Sequence, residues 1–414
     1  MPSVLVSVAV IAAAWVYGAA SSGTFSCPSL ELCSCVDERV DCTCPAGDET
    51  LDLFALFEPD VEVVSVRHCG VVLVPPYLVS SLALEEFSLS DIGELVVRSM
   101  AFEKVSSLRT LRLQNVRNLT LEHLALHGLR GTQLFQLDDV TTDDIPPAAI
   151  AGFSDVQDVE IRNSHIGQVQ SMALLFAKGG SFRMINTRIG EAQNGSFVFD
   201  SVGSIEVANC SFGKIAGAPF AATNATSVIV RDSRFGDLLG RNSLLTLSNA
   251  NATTLLFEAN HIALTAAGAL AHLAARNITF TRNTIGALGE SSLPLGPGAE
   301  FADNSLPCAC NSSWMWSPKA VDPEGITAVI NSSFCSSPQA LSGLRMSGVE
   351  PVPSNGSCRL FRQRHVAGRK VLARISGLSG MRSRAMRHAG HGLGLQIVLA
   401  VWMNYFLWGF GKLL

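Results

Sequence analysis

The chain has 414 residues, with 30 basic and 35 acidic side chains and a formal net charge of −5. Ten of the basic residues lie beyond Pro351, where there is no Asp or Glu, so residues 1–350 carry −15. No basic stripe with interleaved aromatics crosses that acidic body, and this argues against a nucleic-acid partner.

In chain order, Val4 to Ala14 is almost wholly apolar and Gly18-Ala19-Ala20 has the small-residue pattern of a cleavage site. Residues 1–20 therefore read as a secretory signal peptide. Nine of the eleven cysteines fall in two clusters, Cys27, Cys33, Cys35, Cys42 and Cys44, then Cys308, Cys310, Cys335 and Cys358. In an exported chain such clusters read as disulfides.

Between the clusters one phrase recurs: an apolar anchor, then x-apolar, then two variable residues and a small or polar residue. It is clearest in Val202–Leu288, with anchors Ile205, Val228, Leu255 and Ile278. Upstream the anchors are Val64, Phe87, Leu111, Phe135, Val159 and Phe182, and a shortened last copy is anchored at Ala299. The spacings are 23, 24, 24, 24, 23, 23, 23, 27, 23 and 21, a beat that marks a solenoid. Each apolar-x-apolar core predicts a short strand. The small polar residue turns the chain, and a looser return closes the coil on a second anchor such as Phe102, Phe153, Phe197 or Phe220. One coil cannot bury its own edge, so coils stack and the ends need caps.

Nine N-x-S/T sequons, at Asn118, Asn194, Asn209, Asn224, Asn251, Asn277, Asn311, Asn331 and Asn355, predict N-glycosylation in an exported chain. Residues 359–392 form a basic linker, a solvated run that could attract sulfated glycan or anionic lipid. Residues 393–414 are a hydrophobic tail barely long enough to span a bilayer. An Arg-rich flank on the outer side runs against the positive-inside tendency. A glycosylphosphatidylinositol (GPI) signal with attachment at Ser383 fits better than a transmembrane helix.

The phrase and its flanks resemble the extracellular leucine-rich repeat (LRR) family. The repeat resembles L-x-x-L-x-L-x-x-N-x-L, with the Asn present at Asn260, Asn283 and Asn304. The N-terminal C-x5-C-x-C-x6-C and the C-terminal N-S-L-P-C-A-C-N-S-S-W-M-W resemble the family's two cysteine-rich caps. The resemblance implies an α/β repeat solenoid: an LRR horseshoe with a parallel β-sheet on its concave face. It would hold about 11 degenerate 23–24-residue repeats over residues 51–306, between caps at 21–50 and 307–358. It also implies the pairs Cys27–Cys35, Cys33–Cys42, Cys308–Cys335 and Cys310–Cys358. A right-handed parallel β-helix of the pectin-lyase type is the alternative architecture. Cys69 and Cys210 sit at the small-residue turn position, which points to buried free thiols; a Cys44–Cys69 bridge is the alternative for the first.

No G-x-S-x-G, H-E-x-x-H, P-loop or dinucleotide fingerprint occurs. His123 and His127 are four apart, as metal ligands on a helix would be, but no third ligand accompanies them, so no metal or cofactor is expected. The acidic pairs Asp138-Asp139 and Asp143-Asp144 could serve a glycosidase, yet a solvated face accounts for them. The expectation is therefore a non-enzymatic, membrane-tethered protein on the extracellular side of the plasma membrane. It would bind an extracellular or cell-surface protein, as family members in adhesion and receptor recognition do. The candidate ligand-binding residues, on the exposed strand positions of coils three to six, are Arg112, Asn115, Asp138, Asp139, Glu160, Arg162 and Arg183. Further along, glycans at Asn209 and Asn277 would encroach on the same face.

Overall fold

The computed structural model describes residues 32–45, 47, 49–53, 61–78, 83–103, 107–240, 243–248, 253–271, 273, 275–296, 298–308, 315, 322–352 and 357–360. All of these belong to one compact unit, residues 1–371. The signal peptide, the basic linker beyond Leu360, the hydrophobic tail and Ser383 lie outside the described residues, as do Cys27, Cys310, Asn251, Asn311 and Asn355.

The chain winds into a parallel β-solenoid of about eleven turns. The repeat anchors set the register. Val64 pairs with Phe87, Phe87 with Leu111, Leu111 with Phe135, and Phe135 with Val159. The series continues through Phe182, Ile205, Val228, Leu255 and Ile278 to Ala299, each anchor opposite the next. The apolar anchors point inward because a one-residue slip would turn the whole set to solvent. Phe87, Phe135 and Phe182 are fully buried.

Four residues after each anchor the backbone turns through positive φ, at His68, Asp91, Asn115, Asp139, Asn163, Asn186, Asn209, Asp232, Ala259, Arg282 and Asp303. Asn and Asp tolerate this left-handed geometry better than other L-residues, and they fill eight of the eleven corners. The next position is the small or polar residue of the repeat, and it faces inward. Asn260, Asn283 and Asn304 form a buried ladder there. The backbone N–H of Asn260 donates to Oδ1 of Asn283 at 2.9 Å, and that of Asn283 to Oδ1 of Asn304 at 2.9 Å. Their amides donate backward to the carbonyls of Val230, Phe257 and Phe280, each at 2.8 Å. Hydroxyls extend the ladder where Asn is missing: Ser233 Oγ accepts from the Cys210 N–H, and Ser164 Oγ from the Val140 N–H.

The return limbs are extended. A second run of parallel strands includes His165–Val169, Arg188–Ala192, Ser211–Ile215, Arg234–Leu238, His261–Thr265 and Thr284–Leu288. In the central coils a third side is strand as well, with Phe153 opposite Phe176 and Phe197 opposite Phe220. The second-run limbs turn their second and fifth residues inward, as with Ile166 and Val169 or Phe212 and Ile215, and their backbones pair with the neighbouring coils as parallel strand. The coils also stack rings: Phe212 lies 5.1 Å from Phe235 and Phe257 5.1 Å from Phe280, both face to face.

The second run has glycine at the same place in successive coils. A Cβ on Gly190 would meet the Gly167 carbonyl oxygen at 2.5 Å, and one on Gly213 the Gly190 oxygen at 2.5 Å. Backbone, not a pliable side chain, is in the way. Gly213→Val should therefore cost about 2 kcal/mol by overpacking, read as a lowered denaturant midpoint. An unchanged midpoint would refute the close approach.

Both ends are capped. A hairpin of β1 (Cys33–Val36) and β2 (Arg39–Thr43) lays β2 parallel to Val63–Arg67, and Cys33–Cys42 ties its arms. Cys44–Cys69 joins the cap to the first coil. Cys69 is thus bridged, in place of the free thiol its turn position suggested, because Cys44 follows β2 directly and sits one rung below it. At the other end α1 (Pro323–Ser332) is the one α-helix among the described residues. Asp322 caps its start by accepting from the Gly325 N–H, and the helix buries Ile326 and Val329. Phe334–Ser337 then adds a parallel strand to Ser305–Pro307, fastened by Cys308–Cys335. The Cys33–Cys42 and Cys308–Cys335 pairs are those the LRR resemblance implies, and Cys35 is also disulfide-bonded.

Cys210 is a buried free thiol whose Sγ donates to the carbonyls of Met184 and Ala208. Burial pushes it up to about 11. At pH 8 only about 0.1% would be thiolate, the reactive form. Iodoacetamide should leave Cys210 unmodified in the native protein and label it after unfolding; rapid native labelling would contradict this burial.

Candidate functional site

The first strand of each coil contributes two outward positions beside its anchor, and the left-handed corner adds a third. Stacked coils turn these into columns. One column runs Arg112, Gln136, Glu160, Arg183 and Glu206; the next runs Gln114, Asp138 and Arg162. Residues 24 apart in sequence thereby stand side by side.

Four of the sequence-predicted residues meet in one network. Arg162 Nη2 lies 2.8 Å from Asp138 Oδ2, and Arg183 Nη2 lies 2.6 Å from Glu160 Oε1. Arg162 Nε faces the other oxygen of Glu160 at 3.7 Å, which joins the two pairs. The carboxylates are only 14% exposed, while Arg162 and Arg183 are 39% and 38% exposed. The guanidinium groups thus cover the acids and form the outer surface. Sequence reasoning missed the supporting residues. Gln136 Nε2 donates to Glu160 Oε2 at 3.0 Å, and Asn163 Nδ2 donates to Asp138 Oδ1 at 2.8 Å. Ser181 Oγ donates to Asp158 Oδ1 at 2.5 Å, and Arg183 reaches the same oxygen at 3.4 Å. The signal for them was the 23–24-residue offset itself, which names each neighbour once the register is known.

The other three stand apart. Arg112 is exposed and makes no ion pair among the described residues. Asn115 Nδ2 donates to Asp91 Oδ1 at 2.6 Å, and with Gly47, His68, Asp91 and Arg117 it lines an open cavity of about 220 Å³. Asp139 is exposed at its left-handed corner.

Of the acidic pair on the return limb, Asp143 is exposed and Asp144 is half-buried. Burial raises the Asp144 carboxyl above the usual carboxylate range, partly offset by the amide of Gln170, which donates at 2.6 Å. His123 and His127 lie in a turn, not on a helix. His123 Nδ1 sits 2.7 Å from the Pro147 carbonyl, and burial lowers His127. No group of three His, Cys, Asp or Glu that could hold a metal ion occurs among the described residues.

Asn118, Asn194, Asn209, Asn224, Asn277 and Asn331 are all exposed. Asn209 stands in the corner column, and Asn277 precedes the anchor Ile278 at the opposite edge of the same strand face. Compared with protein-family models and with curated protein sequences, the chain matches none. Its disulfides fit an oxidising, extracellular environment, and no helix among the described residues is long and apolar enough to cross a membrane.

Proposed function

We propose that this chain is an exported, surface-tethered binding protein that recognises an extracellular protein through the first-strand face of coils three to six. The observation that carries the reading is the Asp138–Arg162–Glu160–Arg183 network. Opposite charges there are held in fixed positions by partners one coil away. Little side-chain freedom is then lost on docking, and mixed charge favours specificity and fast encounter. N-glycans at Asn209 and Asn277 would border the face downstream and leave coils three to six as its open part. A GPI anchor at Ser383 would tether the molecule.

Two architectures fit the solenoid. The paired cysteines at both ends support the LRR form with its caps. The extended return limbs and the third strand of the central coils support the parallel β-helix alternative. The binding reading holds in either, because both stack the same columns.

The competing function is a polysaccharide lyase or hydrolase, for which acids on neighbouring coils would be the catalysts. A sugar-release assay on the purified protein separates the two. No turnover above background is expected. Turnover that disappears in Asp139→Ala would overturn the binding reading.

A further inference from the structure

The residue that follows the ladder position in each coil belongs to neither the core nor the first-strand face. Register places these residues in one outward column. Thr141 pairs with His165, His165 with Arg188, Arg188 with Ser211, Ser211 with Arg234, and Arg234 with His261. The pair Val116 and Val140 sets Arg117 beside Thr141 at the head of the column. From Arg117 to Ser305 the column contains no acid, in a body that carries −15 over residues 1–350.

Arg117, Arg188 and Arg234 are exposed and make no ion pair among the described residues. This sets them apart from Arg98, Arg109, Arg162, Arg183, Arg231 and Arg282, which are all paired. His165 and His261 are exposed in the same line. Six acids flank the column between Arg117 and His261, of which Asp144 is half-buried and accepts from the Gln170 amide at 2.6 Å. Glu191 is held by Lys214 at 2.8 Å and Asp232 by Arg231 at 3.4 Å, which leaves Asp139, Asp143 and Asp237. Two residues beyond His165, Arg188, Ser211 and Arg234 stand Gly167, Gly190, Gly213 and Gly236, which put no side chain at that position beside these four.

With coils about 4.8 Å apart, the column runs about 29 Å from Arg117 to His261. A single file of unpaired cations beside bare backbone suits a long, narrow ligand with regularly spaced negative charge. We infer that this column binds a linear anionic polysaccharide, sulfated or uronate, lying along the solenoid axis. The surface is separate from the first-strand face and does not depend on the protein-binding reading. Single-stranded nucleic acid would need aromatic platforms for its bases. Among the described residues the exposed large hydrophobic ones are Val36, Tyr77, Leu239 and Leu344, and none lies in the column.

The test compares two variants of equal charge change in the full chain, both carrying Ser211→Ala to remove the Asn209 sequon. One is Arg117→Gln/Arg188→Gln/Arg234→Gln. The other is Arg67→Gln/Arg130→Gln/Arg276→Gln, off the column. Affinities for heparin, polygalacturonate and poly(dT) are measured at fixed salt. The column variant should bind heparin or polygalacturonate at least tenfold more weakly than its parent, with the off-column variant within twofold. Equal losses in both variants, or no loss in the column variant, would overturn the inference. So would poly(dT) binding as tight as the best polysaccharide with the same column dependence.

Discussion

Asn283→Ala is expected to lower the unfolding free energy by about 3–4 kcal/mol, with Asn283→Ser losing roughly half as much. The reason is the position of Asn283 in the middle of the inner ladder. Its Oδ1 accepts from the backbone N–H of Asn260 at 2.9 Å and from that residue's Nδ2 at 3.1 Å. Its Nδ2 donates to the Phe257 carbonyl at 2.8 Å and to Asn304 Oδ1 at 3.1 Å. All of these atoms are buried, so truncation strands at least two backbone groups without water, each costing about 1–3 kcal/mol. A serine keeps the acceptor, as Ser233 does for Cys210, but cannot reach the carbonyl of the previous coil. Urea melts followed by circular dichroism would measure the series. An alanine variant within about 0.5 kcal/mol of the parent would show that the ladder is not where the amides act.

The second large effect is expected from the Cys44→Ser/Cys69→Ser double variant. The bridge closes a separation of 25 residues and both halves are 1% exposed. Loop-closure entropy alone puts its contribution at about 3.5 kcal/mol. The loss should appear first at the N-terminal end, because each coil is supported mainly by its neighbours and an uncapped end frays. Hydrogen exchange should speed up in Val63–Arg67 before it does in Asn277–Thr281. Peptide mapping without reduction should recover Cys44 linked to Cys69. Uniform exchange along the solenoid would contradict a capping role.

The ladder asparagine stands out in the repeat, whereas the Cys44–Cys69 bridge does not, and that contrast has a physical basis. Anchors from Val64 to Ala299 were legible because burying one face of a strand forces apolar residues to recur at the coil length. The partners of Arg162 and Arg183 were implicit in the same period. Less legible was the left-handed corner. Asn115 and Asp139 read as exposed binding positions, although both stand at corners where the backbone takes up positive φ. The return limbs read as loose because their apolar residues are short and glycine-rich, as in Ile-Gly-Glu-Ala of Arg188–Ala192. For Cys69 the turn position favoured a free thiol over the alternative Cys44–Cys69 bridge, since sequence spacing cannot say that Cys44 lies one rung below it. The basic column stayed hidden for a similar reason. Arg117, Arg188 and Arg234 are far apart in the chain, and only the register lines them up.

Recognition through coils three to six is the central claim, and the quadruple variant Arg112→Glu/Glu160→Arg/Arg162→Glu/Arg183→Glu tests it most directly. Asp138 and Glu160 are only 14% exposed and Arg162→Glu sets a second carboxylate beside Asp138, so some loss of stability is expected, and circular dichroism must show a folded variant before its binding is compared. The measurement is saturable binding of the labelled, purified protein to intact cells. The account predicts at least a tenfold loss of affinity in the folded variant. Equal affinity of the two folded proteins would contradict it.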